Sequence, residues 1–204
     1  IKTLMGLINA TSGTVFITND AFGVDDNNAL HSFVHADGKY HLMGCMLCAA
    51  SCNKWWMEDI LKTKNFADEQ KDINKLGENH VYFLPYLMGE RSPINDTDAT
   101  GMFIGLRPDT SRSQMLLAVL EGVSFAIRDN IEIAKSLGID IKASCLCGGG
   151  AKSKLWRKIL ANILNIQLNI PVAEEGPGYG TAILSMVGAG EYETVSEAAE
   201  RLVA

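Results

Sequence analysis

The sequence predicts an α/β fold in which helices flank a mixed sheet. Two apolar runs near the start, residues 4–9 and 14–18, are separated by a short turn that contains glycine, which is typical of a β-hairpin. From residue 141 onward, short apolar runs alternate with stretches whose apolar residues recur at helical spacing. A hairpin followed by such alternation favours a sheet with both antiparallel and parallel neighbours.

The first half of the chain continues with predicted elements of both kinds. Residues 40–46 predict a strand, and residues 49–62 predict a helix. Residues 65–79 are polar and charged, which indicates a solvated helix or a connection. Residues 81–84 form a short apolar run that Pro85 ends, so we expect a fourth strand there.

The second half begins with a long segment, residues 85–108, that predicts no regular structure. It is rich in turn formers but too apolar for disorder, and loops of this length are usually functional. Residues 113–137 predict the longest helix, because one face is apolar and Gly138 stands where helices commonly end. The remaining predicted elements are a strand at 141–147, a helix at 152–164, a strand at 167–170 and helices at 180–188 and 194–203.

Composition excludes several functional classes. The 204 residues carry a net charge of -6, which argues against a nucleic-acid partner. No apolar run approaches the roughly 20 residues that span a bilayer, so we expect no membrane partner and a cytoplasmic location. The five cysteines stand among apolar residues, and we expect reduced core thiols in preference to disulfides or zinc ligands.

Two glycine-containing turns have backbone chemistry that suits a phosphate or a nucleotide. Residues 148–151, Gly-Gly-Gly-Ala, lie between a predicted strand and the positive end of a predicted helix. Residues 9–13, Asn-Ala-Thr-Ser-Gly, offer hydroxyl and amide donors at the tip of the hairpin. Neither turn matches the P-loop or the dinucleotide fingerprint. From these turns alone, a nucleotide site and a pair of ordinary turns both stay open.

A longer pattern in the middle of the chain resembles a known family. The run Gly-Met-Phe-Ile-Gly-Leu at 101–106 is followed, after seven residues, by Gln114 and by a helix that reaches the acid Glu121. Together with residues 83–93, this pattern closely resembles the carboxy-terminal domain of the FGGY carbohydrate kinases. The resemblance covers nearly the whole chain.

The resemblance implies a fold and an activity. FGGY kinases have two RNase H-like domains of the actin and Hsp70 ATPase type, and the chain, residues 1–204, would be the carboxy-terminal, nucleotide-binding one. Residues 31–35, 41–43 and 49–55 are most similar to the xylulose kinases of the family. The implied reaction is the ATP-dependent, Mg²⁺-dependent phosphorylation of D-xylulose to D-xylulose 5-phosphate. Implied partners are ATP or ADP and the sugar. An unpaired half of the cleft would leave an apolar patch, which favours a homodimer.

The resemblance also implies where the catalytic base lies. In the family, an aspartate deprotonates the sugar hydroxyl, which then attacks the γ-phosphate of ATP. That aspartate and most of the sugar site precede the family segment with which this chain begins. We therefore expect no catalytic residue in this chain and no activity from it alone. Asp20, Asp25 and Asp26 follow the hairpin and are not expected to substitute.

Ten residues are implied as nucleotide contacts by the same resemblance. The phosphate-binding residues would be Thr11, Ser12 and Gly13, although Ala10 stands where the family usually has glycine. The adenosine-binding residues would be Gly149, Gly150, Ala151 and Lys154 on one side and Ala50, Ser51 and Lys54 on the other. For Lys54, a solvated helix lysine is the alternative.

Other conspicuous side chains are predicted to be structural. We expect surface or packing roles for the histidines and core or interface roles for the tryptophans, namely His31, His35, His41, His80, Trp55, Trp56 and Trp156. For Glu90 and Arg91 we expect an ion pair that holds the long segment, residues 85–108, in place. Two alternative functions stay open: a gluconate kinase or another sugar kinase of the family, and a non-catalytic nucleotide-binding module with the same fold.

Overall fold

The structure is a computed structural model that describes residues 3–7, 13–171 and 176–203. Strands in this part of the chain are β1 (Thr3–Leu7), β2 (Gly13–Asn19), β3 (His31–Val34), β4 (Tyr40–Met46), β5 (Tyr82–Leu84), β6 (Met102–Ile104), β7 (Ala143–Gly148) and β8 (Gln167–Asn169). Helices are α1 (Ala50–Lys54), α2 (Phe66–Gln70), α3 (Arg112–Ser136), α4 (Lys154–Leu164), α5 (Gly176–Gly188) and α6 (Val195–Leu202). A π-helical turn, Trp55–Ile60, continues α1, and a 3-10 turn, Gly149–Lys152, precedes α4.

The main sheet is mixed, as the sequence predicts. Its six strands lie in the order β3-β4-β2-β1-β7-β8. The pairs β1–β2, β2–β4 and β3–β4 are antiparallel, whereas β1–β7 and β7–β8 are parallel. The predicted hairpin is therefore confirmed, while its turn, residues 8–12, lies outside the described residues.

The register of the sheet places the ends of several strands at one edge. Leu7, the last residue of β1, is paired with Gly148, the last residue of β7. Gly13, the first residue of β2, is paired with Met46, the last residue of β4. The segments that leave β4 and β7, and the turn between β1 and β2, therefore start from the same edge.

Helix α3 covers the sheet and carries much of the core. It begins with a capping box, in which the Ser111 hydroxyl accepts the Gln114 N–H at 3.2 Å and the Gln114 side chain accepts the Ser111 N–H at 2.8 Å. The Trp156 indole N–H on α4 is shared between the Leu120 carbonyl and the Ser124 hydroxyl, each 3.1 Å away. Because Trp156 is only 1% exposed, these bonds fix α4 against the middle of α3.

Two of the short strands, β3 and β6, were not predicted from the sequence. Residues 85–108 were expected to hold no regular structure, but β6 lies within them and pairs with β5. The Phe83 and Phe103 rings on these strands are 4.6 Å apart, so an aromatic contact across the pair stabilises it. Strand β3 was not predicted either, whereas the equally short strands β5 and β8 were.

The predicted ion pair between Glu90 and Arg91 is wrong. The Glu90 carboxylate is buried, and its Oε1 accepts the backbone N–H groups of Leu47 at 2.9 Å and Arg91 at 2.8 Å. The Arg91 side chain is exposed to solvent. Glu90 still holds the long segment, but it does so by accepting backbone donors at the end of β4. Ser92 adds a hydrogen bond from its hydroxyl to the Ala29 carbonyl at 2.7 Å.

Glu90 should make stability depend on pH. Burial raises the pKa of the Glu90 carboxyl above its ordinary value, although the N–H groups of Leu47 and Arg91 oppose that shift. The folded state therefore retains this proton after the unfolded chain has lost it, and stability falls as pH rises from about 4.5 through the raised pKa. We expect the Tm advantage of Glu90→Gln over the unsubstituted chain to grow between pH 5 and pH 8.

Thermal unfolding followed by circular dichroism at several pH values measures this difference. Glu191→Gln, at an exposed position, is the matched control and should show no such trend. A Tm difference between Glu90→Gln and the unsubstituted chain that stays constant with pH would contradict the assignment.

Several of the remaining aromatic and sulfur-containing side chains pack in or against the core. The His41 ring lies 5.5 Å from the Phe16 ring and 5.4 Å from the Phe33 ring, and burial lowers the pKa of His41. Trp56 and Trp156 are buried, as the sequence predicts. All five cysteines are free thiols. None of the helices in the described ranges has both the length and the apolar character to cross a bilayer.

Candidate functional site

The glycine turn after β7 begins with a residue whose backbone conformation favours glycine. Gly148 adopts φ +85°, a left-handed conformation that favours glycine, and turns the chain out of the sheet. The 3-10 turn follows, and Ser153 then caps α4 by accepting the Trp156 N–H at 3.1 Å. A strand, a tight turn and a helix start therefore follow one another, as the sequence predicts.

This turn borders a cavity of about 720 Å³. The opposite side is formed by α1 and the start of the π-helical turn, which leave the same sheet edge after β4. Cavities of this volume are typical of small-molecule sites. Five of the predicted adenosine-binding residues line the cavity: Ala50, Lys54, Gly149, Gly150 and Lys154.

The other predicted contacts are placed differently. Ala151 is buried within the 3-10 turn and Ser51 is half-buried on α1, and neither lines the cavity. Gly13 begins β2 at the shared sheet edge. Thr11 and Ser12 lie outside the described residues.

Gly149 has no structural reason to be glycine. It is exposed, its φ is not in the left-handed region, and a Cβ built on it would meet no atom within 4 Å. The absence of a side chain therefore leaves open space at the mouth of the cavity. Such space suits a flat ligand that lies against the backbone.

Helix α2 forms a third side of the cavity, and the sequence did not predict this role. Gln70 accepts a hydrogen bond from the Ser153 hydroxyl at 2.6 Å, which joins α2 to the cap of α4. Glu69 accepts a hydrogen bond from Arg112 Nε at 2.7 Å, which joins α2 to α3. Phe66 and Gln70 line the cavity. The N-cap pattern of Asn65 and Asp68 was a local signal for this helix.

The charge around the cavity favours an anionic ligand. Its charged lining residues are four lysines and one glutamate, namely Lys54, Lys71, Lys152, Lys154 and Glu58. This local excess of positive charge contrasts with the net charge of -6 of the chain. The arrangement therefore combines an apolar interior with a basic rim.

The carboxylates that follow the hairpin have structural roles. Asp25 is 3% exposed and accepts the backbone N–H groups of Asn27, Ala29 and Leu30 at 2.8–3.2 Å. Asp20 is paired with Lys39 at 2.6 Å on the surface. Within the described ranges, no three His, Cys, Asp or Glu side chains are grouped to hold a metal ion.

Comparison with known sequences identifies the family. Residues 8–189 match the model of the FGGY family of carbohydrate kinases, C-terminal domain. The chain is 34% identical to the xylulose kinase of Staphylococcus xylosus, with 95% of the chain and 41% of that protein covered. It is 36% identical to the xylulose kinase of Escherichia coli K12, with 92% and 39% covered. The chain therefore spans about two fifths of the length of these curated relatives.

Comparison with solved structures gives the same result. A xyloylose kinase from Brucella ovis superposes with a TM-score of 0.86 at 34% identity, with 97% of this chain and 41% of that chain covered. A gluconate kinase from Lactobacillus acidophilus superposes with a TM-score of 0.87 at 24% identity, with 100% and 41% covered, which supports the fold alone. The expected actin- and Hsp70-like ATPase fold is confirmed. The chain belongs to the FGGY family of carbohydrate kinases.

Proposed function

We propose that this chain is the nucleotide-binding, carboxy-terminal domain of an ATP-dependent kinase that converts D-xylulose to D-xylulose 5-phosphate. The observation that carries the proposal is the basic-rimmed cavity beside Gly149. Neither the backbone conformation nor the packing at position 149 requires a glycine. The family membership and the two xylulose kinase relatives support the choice of sugar.

The nucleotide would bind with its adenosine in the cavity and its phosphates toward the hairpin turn. Adenosine would contact Ala50, Ser51, Lys54, Gly149, Gly150, Ala151 and Lys154. Phosphates would contact Thr11, Ser12 and Gly13. The sheet register supports this orientation, because Gly13 and Gly148 lie at the same edge on the neighbouring pairs β2–β1 and β1–β7. The basic rim would contribute favourable charge to both ATP and ADP.

The domain's contribution to catalysis would be positioning and charge neutralisation. Phosphoryl transfer depends largely on these two effects, and the base that accepts the sugar proton must lie within hydrogen-bond reach of the hydroxyl. Asp20 and Asp25 do not fit that role, since they are held by Lys39 and by backbone amides. We propose that Mg²⁺ is carried by the nucleotide phosphates. The cytoplasmic location and the homodimer are part of the same proposal.

A gluconate kinase or another sugar kinase of the family is the second candidate, because family membership by itself does not define the sugar. A non-catalytic nucleotide-binding module is the third. A sugar panel separates all three. The protein that carries this chain should phosphorylate D-xylulose, measured as ADP release, with a kcat/KM at least tenfold above that for gluconate or glycerol.

Activity of the 204 residues by themselves is a separate measurement. We expect them to bind Mg-ADP weakly and to phosphorylate no sugar, since Asp20 and Asp25 do not fit the role of the base. Preference for gluconate would favour the second candidate, and nucleotide binding without any sugar phosphorylation by the whole protein would favour the third. Xylulose phosphorylation by the 204 residues would refute the assignment of the base to another segment.

A further inference from the structure

We propose that Asn53 and Phe66 recognise the base of the nucleotide, Asn53 through the amino edge of adenine and Phe66 through its face. This inference rests on the proposed nucleotide site and adds the residues that select the base. Neither residue belongs to the glycine turn. Both line the cavity, Asn53 from α1 and Phe66 from α2.

Asn53 is a polar side chain in a place that is costly for one. It is only 6% exposed, and its Oδ1 is buried without a hydrogen-bond partner among the described residues. A buried amide carbonyl without a partner is unfavourable, so such a group calls for a ligand or a specific function. The side chain borders the cavity, and a rotation of its amide group would bring the enclosed Oδ1 within reach of a ligand there.

The chemistry of a side-chain amide fits adenine. An amide has a donor beside an acceptor, and adenine presents its 6-amino donor beside a ring-nitrogen acceptor. A half-turn of the amide exchanges its oxygen and nitrogen, so either order can face the base. Asn53 can therefore form a pair of hydrogen bonds with the amino edge.

Phe66 offers the matching aromatic face. Its side chain is half-buried against the core, and it lines the same cavity as Gly149 and Gly150. The position of α2 is fixed at two points, by the Gln70–Ser153 and Glu69–Arg112 contacts, so the ring is held near the glycine turn. Stacking of a base on an aromatic ring is favourable for every base, and the exposed backbone of Gly149 would cover the opposite face.

A comparison of two ligands on two proteins tests the role of Asn53. The ligands are Mg-ADP and purine riboside 5′-diphosphate, which lacks the 6-amino group, and the proteins are the 204-residue chain and Asn53→Leu. Isothermal titration calorimetry should show that the unsubstituted chain binds ADP at least tenfold more tightly. Asn53→Leu should bind the two ligands equally, because leucine has no amide.

Nuclear magnetic resonance gives a second measurement without any substitution. The side-chain NH₂ signal of Asn53 should shift on addition of ADP and shift less with purine riboside diphosphate. For Phe66, we expect Phe66→Ala to weaken ADP binding about tenfold, whereas Phe66→Tyr, the matched control with an aromatic face, should retain it.

Three negative outcomes have different meanings. If the chain binds ADP but Asn53→Leu keeps the preference for the amino group, or the Asn53 signal does not respond, the inference is overturned and the proposed site stands. Retention of ADP affinity in Phe66→Ala likewise overturns the role of Phe66 alone. If the chain binds neither diphosphate at millimolar concentration, the nucleotide site itself is refuted, and this inference with it.

Discussion

Replacing Gly122 by alanine should lower the free energy of unfolding by about 2–3 kcal/mol. Gly122 lies in the middle of α3, where the helix packs on β5. A Cβ at this position would overlap the Phe83 carbonyl oxygen and would lie 3.0 Å from the carbonyl carbon. These are backbone atoms of a paired strand, so the helix and the β5–β6 pair would have to separate. That movement would disturb the core around Phe83 and Phe103.

Chemical denaturation in urea measures the loss, and Gly180→Ala is the matched control. Gly180 lies in α5, and an added Cβ would meet nothing within 4 Å. Alanine there should stabilise the protein by up to about 1 kcal/mol, since it has the higher helix propensity. Equal stabilisation by both substitutions would show that α3 and β5 are not in the close contact described.

Replacing Gly149 by leucine should weaken nucleotide binding at least tenfold, or about 1.4 kcal/mol, without changing Tm. The fold does not need glycine at this exposed position, because a side chain would point into open space. That same space is the mouth of the cavity of about 720 Å³, so leucine would occupy the place of the ligand. Mg-ADP titration of the 204-residue chain, with Tm measured in parallel, tests both halves of the expectation.

Two other glycines, the neighbouring Gly148 and the distant Gly188, serve as controls for Gly149. Gly188→Leu also extends into open space, away from the cavity, and should neither weaken binding nor lower Tm. Gly148→Ala should instead lower Tm, because the φ of +85° at Gly148 is strained for any residue with a Cβ. Unchanged ADP affinity in Gly149→Leu would remove the main support for the site.

The elements that the sequence predicted correctly are those with many periodic residues or clear end signals. The β1–β2 hairpin, α3 with Gly138 after it, and the β7–α4–β8 unit lie close to their expected positions. The strands β3 and β6, which have four and three residues, were missed, whereas the equally short β5 and β8 were predicted. The helix expected over 49–62 changes to a π-helical turn at Trp55, which apolar spacing does not reveal.

The candidate site was predicted in part. The glycine turn and α1 were found because their residues carry recognisable patterns, and five of the proposed adenosine contacts do line one cavity. Helix α2 lies within residues 65–79, whose polar and charged composition predicted only a solvated helix or a connection. Its role depends on Gln70 and Glu69 meeting partners from distant parts of the chain. Asn53 was not predicted either, because its burial beside the cavity depends on the tertiary structure.

By itself, the sequence determined the α/β class, the order of the main elements, the family resemblance and the glycine turn at 148–151. These features depend on residues within a few positions of one another, or on motifs in the chain itself. Only the tertiary structure decided that α2 closes the cavity, that Glu90 accepts backbone amides instead of pairing with Arg91, and that Gly149 is free of structural constraint. Those facts depend on contacts such as the one between Gln70 and Ser153, which lie 83 positions apart and meet only when the chain is folded.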